Sequence, residues 1–411
     1  MQPVSRFISG ATSVLTPASP VPESRANRSG ELRVALITGS YNYIRDGIAL
    51  TLNRMVEYLE AHGVRVLVIA PTAKTPAFAH KGRLFPVPSV PLPARPEYRL
   101  ALGLSGRARQ ELEAFRPDIM HIAVPDLLGY RALRFGQRTK LPIVASYHTR
   151  YENYLTYYGL GALHRPVSAY LKWFYGSCRE LYAPSASMVE TLQADGISTQ
   201  IRLWSRGVDT ESFHPARRSS AWRSKHGVAD DELVICFVSR LVREKELDTV
   251  VDVLKGLQRF NVAHRSVIVG DGPDRSVLEN RLPDSVFTGF LVGDELAEAY
   301  ASSDIFLFPS VTETFGNVTL EAMASGLVTV CADACGSRSL VVPGVTGFLA
   351  KPRHSQEFVE YIQRLANDAA LRDQMRVAAR QRSLEFSWDG AMAKLLSYYR
   401  ALLGAPTTLH K

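Results

Sequence analysis

Apolar residues come in short runs separated by polar, glycine-bearing turns. Leu32–Ile37 is the first run and reads as a buried strand. The polar loop Gly39–Gly47 follows, and then Ile48, Leu52, Met55, Val56 and Leu59 recur at the spacing of an amphipathic helix. Gly63 stops that helix and Val64–Ala70 is a second strand, completing a βαβ unit. Further strands are expected at Asp118–Val124, Pro142–Tyr147, Glu180–Ser185 and Ile201–Arg206. The polar, proline-bearing segment 208–220 then breaks the rhythm and reads as a linker. Alternation restarts with strands at Leu233–Ser239, Ser266–Val269, Val286–Phe290, Ile305–Pro309, Leu327–Cys331 and Phe348–Leu349. Helices are expected from about Leu247, over Asp294–Ser302, and at about 355–384 and 388–403. The pattern predicts the α/β class: one α/β domain over 31–207, a second over 221–385, and a terminal helix and tail over 386–411. Residues 1–30, rich in Ser, Pro, Ala and Arg and without periodicity, read as a disordered tail, and their apolar pairs are too broken for the centre of a signal peptide.

Composition narrows this little, but charge adds something. Hydrophobic residues make up 46% and charged residues 21%, as in a soluble protein with full cores, and no apolar run approaches the length of a membrane span. The four cysteines are scattered, which suits a reducing compartment and a cytoplasmic location. Residues 1–205 hold 24 Lys and Arg against 14 Asp and Glu, whereas 206–411 hold 24 against 26. The basic half points to an anionic partner (a membrane surface, an anionic substrate or nucleic acid), although a basic surface with no partner fits as well. No nucleic-acid motif accompanies the charge. Within that half, 162–181 interleaves aromatics with His164, Arg165, Lys172 and Arg179. Two readings fit it: a helix at a membrane interface, and a helix-packing face.

The candidate chemistry gathers at predicted strand ends, where parallel sheets bind ligands. Gly47 opens the first helix, either to let a ligand approach the backbone or only to make the turn. His148 follows the strand Pro142–Tyr147, where it is placed for ligand contact, although a lone histidine in a loop is more often structural or at the surface. Arg240 and Lys245 precede a helix, where cations oppose the helix dipole unless an anion collects there or Glu244 and Glu246 balance them. Gly270–Pro273 is another tight strand-end loop. Glu313 and Glu321 flank a glycine and the start of a short helix at Gly316–Thr319. Taken alone they are two solvated acids; taken with Arg240 and Lys245 they describe a site for a sugar joined to a diphosphate. Dinucleotide, P-loop, zinc and serine-hydrolase motifs are missing, as is an Asp-x-Asp metal pair.

Glu313–Gly326, Ser239–Lys245, Val269–Pro273 and Ala301–Asp304 occur in this order and at spacings similar to those of retaining glycosyltransferases of family four, which have the GT-B fold. The resemblance covers roughly residues 31–405. It implies two Rossmann-like domains facing a central cleft, with the terminal helix crossing back to the first. It further implies a UDP- or GDP-sugar donor, no metal requirement, and transfer with retention. On these motifs Arg240 and Lys245 hold the donor diphosphate and Glu313 the sugar. Phe315, Gly316 and Asn317, with Val318 and Thr319 behind them, present backbone to sugar and phosphate. Glu321 takes the ribose, Gly47 and Gly270 line the cleft, and His148 matches the active-site histidine near the sugar, so that the resemblance makes His148, Arg240, Lys245 and Glu313 the catalytic group. Pro96–Leu100, Ser146–Thr149, Tyr157–Leu160 and Arg206–Asp209 resemble a narrower subgroup, the sulfoquinovosyl-diacylglycerol synthases and related bacterial mannosyl-, glucosyl- and glucuronosyltransferases. This implies a membrane-lipid acceptor and peripheral contact of the first domain with the inner membrane face. The same transfer to a soluble glycan or metabolite, and non-catalytic binding of a nucleotide sugar, are the alternatives. Two departures stand out: Val328 after Gly326-Leu327 where proline is frequent, and Cys335-Gly336 where two glycines are frequent.

Overall fold

A computed structural model describes residues 31–92 and 95–404; the segment 1–30, read above as a tail, lies outside the described residues. The first sheet begins with β1 (Arg33–Ile37), β2 (Arg65–Pro71) and β3 (Arg83–Val87). A hairpin of β4 (Ser89–Leu92) and β5 (Arg95–Ala101) follows, and the sheet continues with β6 (Ile119–Ile122), β7 (Ile143–Ser146), β8 (Glu180–Ala183) and β9 (Gln200–Leu203). The second sheet contains β10 (Val234–Val238), β11 (Arg265–Val269), β12 (Val286–Gly289), β13 (Ile305–Phe308), β14 (Val328–Ala332) and β15 (Gly347–Ala350). Their orders are β3-β2-β1-β6-β7-β8-β9 and β12-β11-β10-β13-β14-β15. Every pairing within the two sheets is parallel. The central strands are buried throughout because helices cover both faces: Val234–Val238 and Ile305–Phe308 are unbroken apolar runs, and Ile119–Ile122 is broken only by His121.

In each sheet the chain starts in the middle, steps outward twice, and then crosses to the other side of its first strand. The reversals lie between β1 and β6 and between β10 and β13. Loops at the carboxyl ends of such strands diverge and leave a crevice. The segments after β1, β10 and β13 are those that carry Gly47, Arg240–Lys245 and Glu313–Gly316.

The terminal helix, Trp388–Leu402, returns to the first domain. Its Met392, Leu395, Leu396 and Tyr399 share a core with Val34, Leu36, Leu52 and Met55. Fully burying a side chain of leucine size is worth about 1.5–3 kcal/mol, so this contact holds the two halves together. The chain's two passages between domains abut: the Val208 amide donates to the Phe386 carbonyl at 3.0 Å. A Cβ on Gly207 would lie 2.3 Å from the Trp388 nitrogen, so only glycine fits there.

Some elements were not legible in the pattern. β3 and the β4–β5 hairpin are hidden by Pro86, Pro88, Pro91 and Pro96; β3 is an edge strand and the hairpin a two-stranded ribbon with open edges, and both tolerate proline. The helices Gly106–Phe115, Leu127–Thr139, Tyr151–Tyr157 and Ala186–Ala194 are likewise additions. Within 355–384 the helix breaks at Asp368, whose carboxylate caps the second piece by accepting from the Leu371 amide at 2.9 Å. Of the aromatic stretch 162–181, only His164–Gly176 is α-helical. It supports both readings given above, since Leu171, Phe174 and Tyr175 are buried while Lys172 and Trp173 are exposed.

Candidate active site

Gly316 has φ +96°, a left-handed conformation that L side chains rarely adopt, and from it the helix Asn317–Ala324 begins. Glu313 lies on the loop before this helix and Glu321 just over one turn into it. A second glycine supports the loop from behind. A Cβ on Gly336 would lie 2.7 Å from Glu313 Cβ and 3.0 Å from the Phe315 carbonyl carbon. Of the two positions where the family often has glycines, this chain keeps the one that the close packing requires.

Lys245 and Glu313 are directly paired, Nζ to Oε1, with side chains 17% and 22% exposed. The turn Arg243–Lys245 is tied to the same loop, since Thr312 Oγ1 donates to the Glu244 carbonyl at 3.2 Å. The neighbouring acids are engaged by arginines from elsewhere in the chain. Glu244 faces Arg95 at 3.5 Å, and Glu246 pairs with Arg353 at 2.8 Å and accepts from the Tyr157 hydroxyl at 2.6 Å. Arg240 reaches the hairpin instead, donating to Glu97 Oε1 at 2.9 Å and to the Tyr98 hydroxyl at 3.1 Å. Burial would raise the Glu97 carboxyl, but the bonds from Arg95 and Arg240 outweigh it and bring its pKa down to about 2. Sequence reasoning missed Glu97 and Tyr98 as partners of Arg240, although both lie in the subgroup segment Pro96–Leu100.

The remaining candidates divide by what they touch. Gly47 faces the second domain, and a Cβ there would lie 3.3 Å from Asn317 Nδ2. Asp46 caps the helix behind it by accepting from the Ala49 amide at 2.8 Å. Asn317 Oδ1 is buried and has no hydrogen-bond partner. Phe315 is buried against Phe386, and Thr319 is fully buried beside Cys331, so these two contribute to a ligand site only through their backbone. The Val318 carbonyl accepts from the Tyr300 hydroxyl at 3.2 Å. Gly270, at φ +132°, lets two strand-end loops touch: a Cβ there would lie 1.8 Å from the Ser239 carbonyl oxygen. It shapes the Ser239–Lys245 segment rather than offering a group of its own.

Glu321 accepts from the Tyr300 hydroxyl at 3.2 Å. Burial pushes its pKa up to about 7 against smaller opposing effects of the Tyr300 bond and the Arg54 charge. His148 is half-buried, and its pKa is held well below the ordinary range by burial and then by Arg206. Its carbonyl accepts from Thr314 Oγ1 at 2.9 Å, while Ser185 Oγ donates to the Thr314 carbonyl at 2.8 Å. The Glu313 loop is thereby fastened to the first domain. Arg206 itself lies in the singled-out segment Arg206–Asp209, yet no role was assigned to it.

Cations beside the start of a helix suit a diphosphate, and neighbouring carboxylates suit hydroxyl groups that donate to them. These groups stand at the switch points of two parallel sheets, and the two-sheet architecture is that of the GT-B glycosyltransferases. Sucrose-phosphate synthase from Thermosynechococcus elongatus has the same fold, with a TM-score of 0.76 at 19% identity over 92% of this chain and 100% of that one. Residues 45–212 match Glycosyltransferase Family 4 and residues 219–382 match Glycosyl transferases group 1. The chain is 36% identical to a GDP-mannose-dependent alpha-mannosyltransferase of Mycobacterium tuberculosis, over 92% of this chain and 98% of that protein. It is 34% identical to the sulfoquinovosyl transferase of Arabidopsis thaliana, over 88% of this chain and 72% of that protein. The chain belongs to glycosyltransferase family 4, as its motifs implied, and is a hexosyltransferase that uses a nucleotide-sugar donor.

Proposed function

We propose that the protein moves a hexose, with retention, from a GDP- or UDP-sugar to a hydroxyl of a membrane glycerolipid or similar lipid. The observation that carries the reading is the Lys245–Glu313 pair at the glycine-led helix start, fastened by Thr314 to His148. In this reading Lys245 and Arg240 take the diphosphate and stabilise the charge that develops as it leaves, which is the part of the barrier a protein lowers best by fixed charges. Glu313 accepts from sugar hydroxyls, and Glu321 from the ribose. Gly47, Gly270 and backbone groups of Phe315, Gly316, Asn317, Val318 and Thr319 surround sugar and phosphate. The departing phosphate oxygen assists the incoming hydroxyl on the same face of the sugar, so the protein's share is positioning and charge stabilisation. No step in this scheme is assigned to a metal.

The surface of the first domain supports a lipid acceptor. Leu102, Leu127 and Trp173 are 56%, 43% and 43% exposed. Leu127 and Arg131 flank Gly103, next to Leu102, and Trp173 contacts Tyr130 at a ring separation of 6.0 Å. Arg131, Arg134 and Lys172 are exposed around them. Apolar and aromatic side chains ringed by cations suit an anionic bilayer, where each cation near the surface contributes about 1 kcal/mol. No helix among the described residues is long and apolar enough to cross a membrane. In this reading the exposed apolar and basic face sets the enzyme on the inner membrane face as a peripheral protein.

The test offers GDP- and UDP-sugars, one at a time, with membrane lipid extract or with soluble glycans, and identifies products by mass spectrometry. A glycolipid of retained anomeric configuration is expected. Transfer to soluble acceptors alone would overturn the lipid reading, and donor binding without transfer would overturn the catalytic one.

A further inference from the structure

Arg206 follows β9 and is only 4% exposed. Its guanidinium lies over the Trp204 ring at 4.4 Å and donates to the Trp204 and Ser205 carbonyls at 3.1 and 3.4 Å and to His148 Nδ1 at 3.0 Å. A guanidinium has donors and no acceptor. His148 Nδ1 therefore accepts, and the single proton of the neutral ring is on Nε2. From Nε2 it donates to Ser146 Oγ at 2.8 Å. The Ser146 hydroxyl then donates to His121 Nε2, also at 2.8 Å. This leaves the His121 proton on Nδ1, where it donates to the Tyr399 hydroxyl, whose own proton is turned toward Met55 Sδ at 4.0 Å. Fixing the direction at Arg206 fixes it at every link.

We propose that Arg206, Ser146, His121 and Tyr399 are positioning residues: a one-way hydrogen-bond relay from the cleft wall to the crossover helix that locks His148 as the neutral Nε2–H tautomer. With both ring nitrogens engaged, His148 is not a general acid or base. Its working atom is the backbone carbonyl that receives Thr314 Oγ1 and so sets the position of Glu313. The relay's far end is a core residue of Trp388–Leu402, which also explains why that helix must return to the first domain: Tyr399 completes the hydrogen bonding of a histidine buried in β6. Burial keeps His121 far below its ordinary range, at about 3, in accord with a relay that carries no proton charge at neutral pH.

The kinetic half of this proposal rests on the function proposed above; the tautomer half does not. Selective 15N-histidine labelling of the full chain, with His121 and His148 assigned by substitution, reads the tautomers directly. The wild type is expected to show Nε2–H for His148 and Nδ1–H for His121, both unchanged from pH 6 to 8. An Nδ1–H His148, or titration in that window, would overturn the relay. Ser146→Ala removes the central link without adding bulk. It is expected to lower kcat about tenfold or more while donor KM stays within about twofold, since small misplacement of a reacting group is costly. Unchanged kcat in Ser146→Ala, with the wild-type tautomers as stated, would overturn the positioning role. Arg206→Met removes the donor to Nδ1 and should let the neutral His148 ring populate both tautomers, visible in the same spectra; a folded variant whose His148 stays wholly Nε2–H would count against Arg206 as the fixing residue. Absence of any transfer by the wild type would overturn the functional reading and leave the spectra to decide the relay.

Discussion

The sharpest prediction concerns Glu321 and pH. Its carboxyl is pushed up to about 7 chiefly by burial. In the ligand-free protein it is then about half ionised at neutral pH, roughly one-tenth at pH 6 and nine-tenths at pH 8. Ribose hydroxyls donate most strongly to the ionised form. Donor binding should therefore release a proton below pH 7, and affinity should rise by up to about tenfold between pH 6 and pH 8. Isothermal titration of an intact nucleotide sugar, without acceptor, measures this in several buffers of different ionisation enthalpy. The diphosphate of an intact donor stays ionised throughout, and His121 and His148 are held neutral, so neither obscures the window. Glu321→Gln should flatten the profile and weaken binding at pH 8 by about tenfold, the size of one lost charge-assisted hydrogen bond. A flat wild-type profile, or a slope that survives in Glu321→Gln, would refute the ribose assignment. The same carboxyl makes the ligand-free protein less stable as pH rises from about 4.5 through 7, because its folded-state pKa exceeds its unfolded one. Bound donor should reduce that loss.

Three further outcomes are expected. Lys245→Ala should lower turnover by about a hundredfold or more, as does removal of a preorganised charge at a leaving group, and near-normal transfer would refute the diphosphate role. Glu97→Gln, measured by donor titration, should bind donor severalfold more tightly, since Arg240 no longer has to exchange a carboxylate for a phosphate; equal or weaker binding would show that Glu97 does not compete. Gly270→Ala should cost at least about 3 kcal/mol in urea denaturation, because a Cβ would stand 1.8 Å from the Ser239 carbonyl oxygen at a φ of +132°, and a wild-type midpoint would mean that the loops are free to part.

What the sequence disclosed and what it hid follow from distance along the chain. Strand runs and the loop-to-helix pattern at Glu313–Glu321 are local, and periodicity finds them. Lys245–Glu313, 68 residues apart, was reachable only because each residue sits at a strand end and the strands are parallel. The His148 relay joins positions 25, 58 and 278 residues apart, and its local signals, the segments Ser146–Thr149 and Arg206–Asp209 at strand ends, gave no hint of His121 or Tyr399. Glu244 and Glu246 illustrate the opposite error. Proximity in sequence made them candidate counterions for Arg240 and Lys245, yet the fold sends them to Arg95 and Arg353. The hairpin that supplies Arg95 and Glu97 was concealed by prolines that normally exclude strands.

The ligand-free cleft is electrostatically occupied. Arg240 is paired with Glu97, and Lys245 with Glu313. With the donor placed as proposed above, binding is an exchange: two carboxylates lose cation partners as the diphosphate gains them. The favourable energy is the difference between the two arrangements and not the full attraction between diphosphate and cations. The two displaced acids then behave differently. Glu97 is on an exposed hairpin and can turn to water or remain with Arg95 at 2.7 Å. Glu313 is held by Gly336 behind and Thr314 beside it, so its carboxylate stays in the cleft and needs new donors. Sugar hydroxyls are the donors that arrive with the diphosphate. A nucleoside diphosphate lacking the sugar would leave Glu313 facing phosphate with nothing to satisfy it. The cleft should thus favour the intact donor over the spent nucleotide, and Glu313→Gln should narrow that preference by strengthening product binding more than donor binding. Competitive displacement of a fluorescent donor analogue by each ligand measures the ratio, and a preference unchanged in Glu313→Gln would show that the sugar takes its hydrogen bonds elsewhere.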